Sequence, residues 1–512
     1  MNVVANQAAL SSLTDQIRHS VDNPLTSTDF DLTAVLNDVL SSVGLSAADA
    51  GGNVRFYGGA DPMIASPFLF ASAAAVALAA KAVAASALWR ERGGDEQDIA
   101  IDLRRAFQRF SGFADGRWEQ INGRPPSYKF NKYNPFGDVP FFRVTRDGRH
   151  VVALNIYPGL HQKALTLLDC ADNSKSINEA IATWGADELE KAAADAGVII
   201  AKVRSTEEFF QEEQYQEVLQ HMPVISVEKI ADGDPQPLAA GASTPLEGIR
   251  ALGMGHVIAG SGLGRDLASF GADVLNVWRP DDSEMEMFYW DTQVGMRSTY
   301  LSDTGDDRAK LDELLRGADV FFSNRHPGHL EKVGLTAEEL AVGHRGLIHA
   351  QVLLHGAAGP WATRPGFDEI GACVSGIFAL GGTLEDPKQP PMLPIVDNLV
   401  GWFGTVGVLE ALRRRAVEGG SYRVRVSLTR VCLWLISLGI FDKEYVTTTA
   451  GSTAEHSTIP PELFTAKTPL GTYQGMTDQI EFSSLPQGFT TTVLQPMGAD
   501  QPEWLPRATN PA

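Results

Sequence analysis

The chain has 512 residues, 44% hydrophobic and 21% charged, with a formal net charge of -21, enough for two or more domains with large cores. That acidity excludes nucleic acid and anionic membrane as partners, since both need basic surface. Cys170, Cys373 and Cys432 lie far apart with no C-x-x-C, which excludes a zinc ribbon or a disulfide framework and fits a reducing, cytoplasmic setting without a bound metal.

The N-terminal stretch MNVVANQAALSSLTDQ lacks the basic-then-apolar layout of a secretory signal. Met63 to Leu88 is apolar over more than twenty residues, but it is mostly alanine and contains Lys81. Alanine contributes little transfer energy, so a buried helix is expected there and not a membrane span. That helix, an arginine cluster, Gly-Gly and an alternating strand return later as GVLEALRRRAVEGGSYRVRVSL, with Ile99, Ile101 and Leu103 answering Val424, Val426 and Leu428. The echo points to a diverged internal duplication.

PFFRVTRDGRHVVALNIY carries Asp147-Gly148 between alternating strands, a hairpin signal. Helices are expected around Gln162 to Leu168, Ile177 to Thr183 and Asp187 to Ala196. Ala231 to Thr244 is Pro/Gly/Ala-rich and reads as a linker, so the chain divides into residues 1–238 and 239–512. The tail after Val446 holds one further hairpin, in TPLGTYQGMTDQIEFSSLP.

Pro245 to Pro280 reads as strand, turn, helix, strand: Gly248 to Leu252, a turn at Gly260, Gly262 and Gly264, a helix from Arg265 to Phe270 and a buried strand from Ala272 to Val277. Such a start aims free N–H groups and a helix dipole at a phosphate. A dinucleotide fingerprint is incomplete, because Arg265 follows where a third glycine belongs and the second strand ends in Trp278-Arg279 instead of an acid. NAD(P) is therefore disfavoured.

The wording of this half is more specific than its shape. HVIAG, FGADVLNVWRP, ADVFFSNRHPGHLEKVGL and RPGFDEIGACVSGIFALGG follow one another, and the series resembles the class III CoA-transferases, the CaiB/BaiF family, over Pro245 to Leu435. The resemblance implies an α/β fold, a Rossmann-like parallel sheet with a smaller α+β domain. The first half then looks like a partial copy that kept the late part of that fold.

By the same resemblance, coenzyme A is a co-substrate, no cofactor is tightly bound, and the partners are an acyl-CoA and a carboxylic acid. Val257 and Arg279 would face the adenosine end, Arg297 would stand at the family's arginine, and Asn324, Arg325, His329 and Lys332 would line nucleotide and pyrophosphate. Met296 and Ile258 depart from the family pattern. Asp368 matches the nucleophilic aspartate, attacking a thioester to form a mixed anhydride; its alternative role is to cap the helix that follows. Glu369 beside it does not match the motif.

Racemases of the family place a histidine before the aspartate, where Phe367 stands, although His355 is available as a second base. Racemisation and non-catalytic acyl-CoA binding are thus the alternatives. Family members form interlocked dimers, and a homodimer is expected.

Overall fold

The computed structural model describes residues 12–110, 116–126, 141–392 and 394–507. Seven strands make the central sheet: β1 Ser226–Ala231, β2 Arg250–Met254, β3 Asp273–Trp278, β4 Arg297–Tyr300, β5 Val320–Ser323, β6 Ile348–Leu353 and β7 Ser421–Ser427. Their order in space is β4-β3-β2-β5-β6-β7-β1. Neighbours run parallel, except that β1 lies antiparallel to β7. Both faces are covered, so a strand such as β3 is buried at every residue and is apolar apart from Asp273 and Asn276. Leu252 on β2 pairs with Leu275 on one side and Phe321 on the other. Strand order reverses between β2 and β5, and a crevice at their carboxyl ends is where this topology accepts ligands.

Six helices matter below: α1 Phe70–Glu91, α2 Pro158–Leu168, α3 Ala259–Ser269, α4 Asp368–Ser375, α5 Asp397–Glu418 and α6 Leu428–Ser437. The glycine-rich turn expected at 260–264 is instead the first half of α3, and the turn itself is 255–258. Packing explains the shift. A Cβ at Gly260 would sit 2.5 Å from the Asn324 side chain, and one at Gly264 would sit 2.4 Å from the Met296 sulfur. These glycines accept a helical cost of about 1 kcal/mol each so that α3 can lie close on the sheet.

The Asp147-Gly148 turn joins antiparallel strands Phe142–Val144 and His150–Ala153, and Ile200–Lys202 pairs on the other side. Pro140 and the residues before it back to 127 lie outside the described residues. With α2, Ser174–Ile181 and Ala186–Ala196 this sheet encloses its own small core. Ala231 to Thr244 joins β1 to the turn before β2 and contains no strand or helix after Ala231.

The largest core draws on both sides of residue 238, and α1 packs along α5 inside it. The apolar stretch that is long enough to cross a membrane is thus buried throughout within the protein. Lys81 shows how. Its Nζ lies 2.7 Å from Asp266 Oδ1 on α3 and 2.9 Å from Asp478 Oδ2, while Thr405 on α5 donates to Asp266 Oδ2 at 3.0 Å. Next to it, Arg265 pairs with Asp291 at 2.7 Å and Arg109 reaches the same carboxylate at 3.4 Å.

The C-terminal segment stitches the halves further. Glu481–Phe482 pairs with Gln97–Asp102, and Gly471–Met476 pairs with Gln120–Ile121.

Candidate functional site

A cavity of about 640 Å³ opens at the carboxyl ends of β2, β3, β5 and β6. One wall is the turn after β2, with His256 and Val257; a second holds Arg279 and Asp282 after β3; a third holds Asn324, Arg325 and His326 after β5. The stretch Arg364 to Phe367, Asp397 and Leu428 close the far side, and Tyr157 to Leu160, Lys163 and Ile199 arrive from the first half.

The turn after β2 is pinned residue by residue. Gly255 N–H donates to Asn276 Oδ1 at 2.9 Å, and Asn276 Nδ2 donates back to Gly255 O at 3.1 Å. His256 N–H and C=O are served in the same way by Asn324, both at 2.9 Å. Val257 N–H donates to Glu284 Oε2 at 2.7 Å, and Thr292 Oγ1 donates to Val257 O at 3.0 Å. Val257 has φ +56°, a left-handed conformation that costs a β-branched residue about 1–3 kcal/mol and persists only where neighbours over-determine it. The amides of Gly255, His256 and Val257 are therefore already spent, and cationic side chains stand beside them.

Those side chains are organised by Asp282. Arg279 donates to its Oδ1 at 2.9 Å, and Arg325 and His256 Nε2 both meet its Oδ2. Burial would raise the Asp282 carboxyl, but His256, Arg325 and Arg279 hold it well below the usual carboxylate range. His256 goes the other way: burial and then the Arg325 charge push its pKa down to about 4, so its ring is neutral at pH 7. Because the folded pKa lies below the ordinary 6.5, its contribution to stability is full above pH 6.5 and is lost as pH falls toward 4. We expect up to about 3 kcal/mol from this group across that range, read as the extra slope in urea stability that His256→Gln removes.

Of the residues singled out in the sequence, Val257, Arg279, Asn324 and Arg325 meet at this cavity. Arg297 does not: it is buried, bonded to Asp273 at 3.0 and 3.1 Å and to Glu503 O at 2.8 Å. It ties β4 to β3 and to the C-terminal segment. His329 turns toward Asp303 at 2.8 Å, and Lys332 is exposed; neither lines the cavity.

Asp368 is not among the residues that line the cavity, and its Oδ1 is buried without a hydrogen-bond partner among the described residues. It is buried behind the wall, and its Oδ2 accepts from Ile395, Val396 and Asp397 N–H at 2.6, 2.7 and 3.1 Å. It caps a helix, but α5 and not the α4 that it opens. Asp397, the first residue of 22-residue α5, lines the cavity together with Asp281 and Asp282. It receives no hydrogen bond on its side chain from any described residue. Burial, then the charges of Asp368 and Glu369, raise its pKa well above the carboxylate range. The α5 dipole acts in the opposite sense.

Sequence reasoning missed Asp397, His326, Arg364, Tyr157 and Lys163. A lone Asp opening an apolar helix in PIVDNLVGWFG was the available signal for the first; nothing local marked the rest. His355 lies outside the main cavity, with Nδ1 2.9 Å from Thr429 Oγ1 and its ring against Trp361. Phe367 stacks on Tyr157 with ring centres 6.0 Å apart.

Tyr157 also links the halves. Its hydroxyl donates to Glu284 Oε1 at 2.8 Å, and the other oxygen of Glu284 holds Val257. Tyr157→Phe is expected to raise the KM of a ligand seated on this turn by about tenfold with kcat within about twofold, the signature of lost uniform binding. Met285 N–H still donates to Glu284 Oε1 at 3.0 Å, so folding should change little; steady-state kinetics beside a thermal melt would separate the two effects.

The family model for CoA-transferase family III matches residues 246–503. Acetyl-coenzyme A transferase nodX of Hypoxylon pulicicidum is 34% identical over 208 residues, covering 39% of this chain and 35% of the relative. The succinyl-CoA–L-malate CoA-transferase beta subunit of Chloroflexus aurantiacus is 36% identical over 196 residues, covering 35% and 48%. The crystal structure of a CAIB/BAIF family protein from Brucella suis is 26% identical, covers 37% of this chain and 54% of that one, and has a TM-score of 0.33. The chain spans about half or less of the length of the curated relatives that it matches here.

Proposed function

This chain belongs to CoA-transferase family III, and from that premise we propose that it moves coenzyme A from an acyl-CoA donor to an organic acid, with Asp397 as the nucleophile. One observation carries the reading: a carboxyl that receives no hydrogen bond from any described residue opens a long helix at a cavity whose lining also includes Arg279, Arg325 and His326. Coenzyme A is a polyanion with a thioester at the far end of its arm, and the cations and the carboxyl of this cavity suit those two demands. The names of the relatives, an acetyl-coenzyme A transferase and a succinyl-CoA–L-malate transferase, agree with it.

In this reading the Asp397 carboxylate attacks the thioester carbonyl, forming an aspartyl–acyl anhydride and releasing CoA thiolate. The thiolate attacks the aspartyl carbonyl and the donor acid leaves, giving an aspartyl–CoA thioester. The acceptor carboxylate then repeats the two steps in reverse and restores Asp397. One thioester is exchanged for another, so the bonds balance without ATP. The α5 N-terminus favours the negative charge that develops there, and the lining by Val352, Leu354, Leu428 and Phe367 excludes the water that would hydrolyse an anhydride.

Incubation with succinyl-CoA or acetyl-CoA and a pool of carboxylic acids should yield new thioesters by mass spectrometry. Hydroxylamine trapping after exposure to acyl-CoA should label Asp397. No new thioester under any pairing would sink the reading.

We also read the chain as a diverged partial duplication divided near residue 238. In support, α1 and α5 are both 22 residues long. Each starts beside a buried aspartate that accepts backbone N–H groups, Asp61 from Ala71 and Ser72, and Asp368 from the start of α5. Each is followed by a strand and a residue that caps the next helix, Asp102 and Ser427. Because the cavity takes walls from both halves, one chain suffices for one site, in place of the homodimer expected from the sequence. Native mass spectrometry should find a 55.2 kDa particle that binds one coenzyme A; activity that vanishes on dilution would show that a second chain is needed.

A further inference from the structure

The cavity contains two kinds of arginine. Arg279 and Arg325 spend donors on Asp282. Arg364 spends none of its side-chain donors on a described residue. Its guanidinium lies 4.2 Å from the ring centre of Trp361, and the nearest carboxylate, Glu190, is 3.8 Å away, beyond hydrogen-bond distance. Glu190 is in any case saturated: Arg204 donates to both its oxygens, at 2.8 and 2.5 Å, and Lys202 N–H donates at 2.8 Å. An arginine fork stacked on an indole has lost most of its rotamer freedom already, so it is ready for a planar anion at little further cost.

Arg364 and Asp397 line the same cavity, and Asp368, four residues after Arg364, holds the N–H of Asp397 at 3.1 Å. The wall nearby is aliphatic, with Ile199, Val352, Leu354 and Leu428. Arg279 and Arg325 follow other strands, β3 and β5.

We propose that Arg364 docks a second carboxylate on the acid that exchanges coenzyme A, so that the site selects short dicarboxylic acids. One carboxyl meets Asp397 and the other makes a bidentate pair with the Arg364 fork. The aliphatic wall accommodates the methylenes between them. This rests on the transferase reading for what happens at Asp397, but the docking step is a binding event that can be measured without turnover.

The test titrates the full chain, in saturating coenzyme A, with succinate and with butyrate, which share four carbons and differ in the second carboxyl. Wild type should bind succinate at least about tenfold more tightly than butyrate. Arg364→Met should bring succinate down to the butyrate value while coenzyme A and butyrate stay within about twofold, and Arg364→Lys should recover part of the difference. Equal binding of the two acids by wild type would overturn the proposal, and that comparison needs no variant to fold. So would an Arg364→Met protein that loses affinity for coenzyme A as strongly as for succinate, since the arginine would then belong to the phosphates. A protein that shows this selectivity yet transfers no coenzyme A would instead overturn the transferase reading and leave the docking role standing.

Discussion

Asp397→Asn is expected to lower turnover by about three orders of magnitude or more, the scale seen when a covalent nucleophile is removed. The amide keeps the volume of the side chain at the head of α5 but cannot form an anhydride, so coenzyme A binding and the melting temperature should hardly move. Asp368→Asn is the control. Its remaining carbonyl oxygen can still accept from Ile395 to Asp397, and the change should cost about 1 kcal/mol, as for a weakened cap, with a much smaller loss of rate. The opposite pattern, an active Asp397→Asn and a dead Asp368→Asn, would return the catalytic role to Asp368.

The same carboxyl predicts a pH profile. Burial and the charges of Asp368 and Glu369 raise Asp397 above the usual range, and only the ionised form attacks. The rate should thus rise with pH across a limb that lies well above pH 4. A neutral Glu369→Gln removes one of those charges and should move the limb to lower pH.

Lys81→Met should be strongly destabilising, at about 3–5 kcal/mol, because it leaves buried charge without its partner. Methionine matches the length of the stem, so packing against α5 is kept and the loss is electrostatic. Burial raises Asp266, with Lys81 opposing it; for Asp478, Lys81, Arg265 and Arg109 overcome burial and hold the carboxyl low. Urea denaturation followed by fluorescence and circular dichroism would measure the cost. Neutralising the partner as well, in Lys81→Met/Asp266→Asn, should recover a good part of it. If the single variant lost less than about 1 kcal/mol, the ion pair would be ornamental and the helix pair would stand on hydrophobic packing alone.

The sheet and its ligand crevice were legible because Asp273–Trp278 and Val320–Ser323 are fully buried strands, whose mostly apolar runs are visible in one dimension. Lys81 was legible as an anomaly, a charge inside an alanine helix, though its partners 185 and 397 residues away were not. Gly260 to Gly264 misled because a glycine needed for a turn and one needed for close helix packing look alike in sequence. Arg297 misled because its residue type fits a phosphate as well as it fits Asp273, and only the fold decides between them. Asp368 was legible as a capping residue, but the helix it caps begins 29 residues later. Asp397 carries no local mark beyond its place at a helix start. Its importance comes from the cavity wall.

The pairing of Glu481–Phe482 with Gln97–Asp102, and of Asp478 with Lys81, has a consequence for synthesis on the ribosome. At about 5–20 residues per second, the emergence of residue 102 precedes that of residue 478 by roughly 20–75 s. Throughout that interval the nascent first half exposes an unpaired strand edge and carries an alanine helix whose buried cation, Lys81, awaits its anions. An edge in that state invites pairing with another nascent chain. Holdase chaperones would therefore raise the yield of this protein more than its final stability suggests, and moving residues 471–485 to the front of the chain by circular permutation should lessen that dependence.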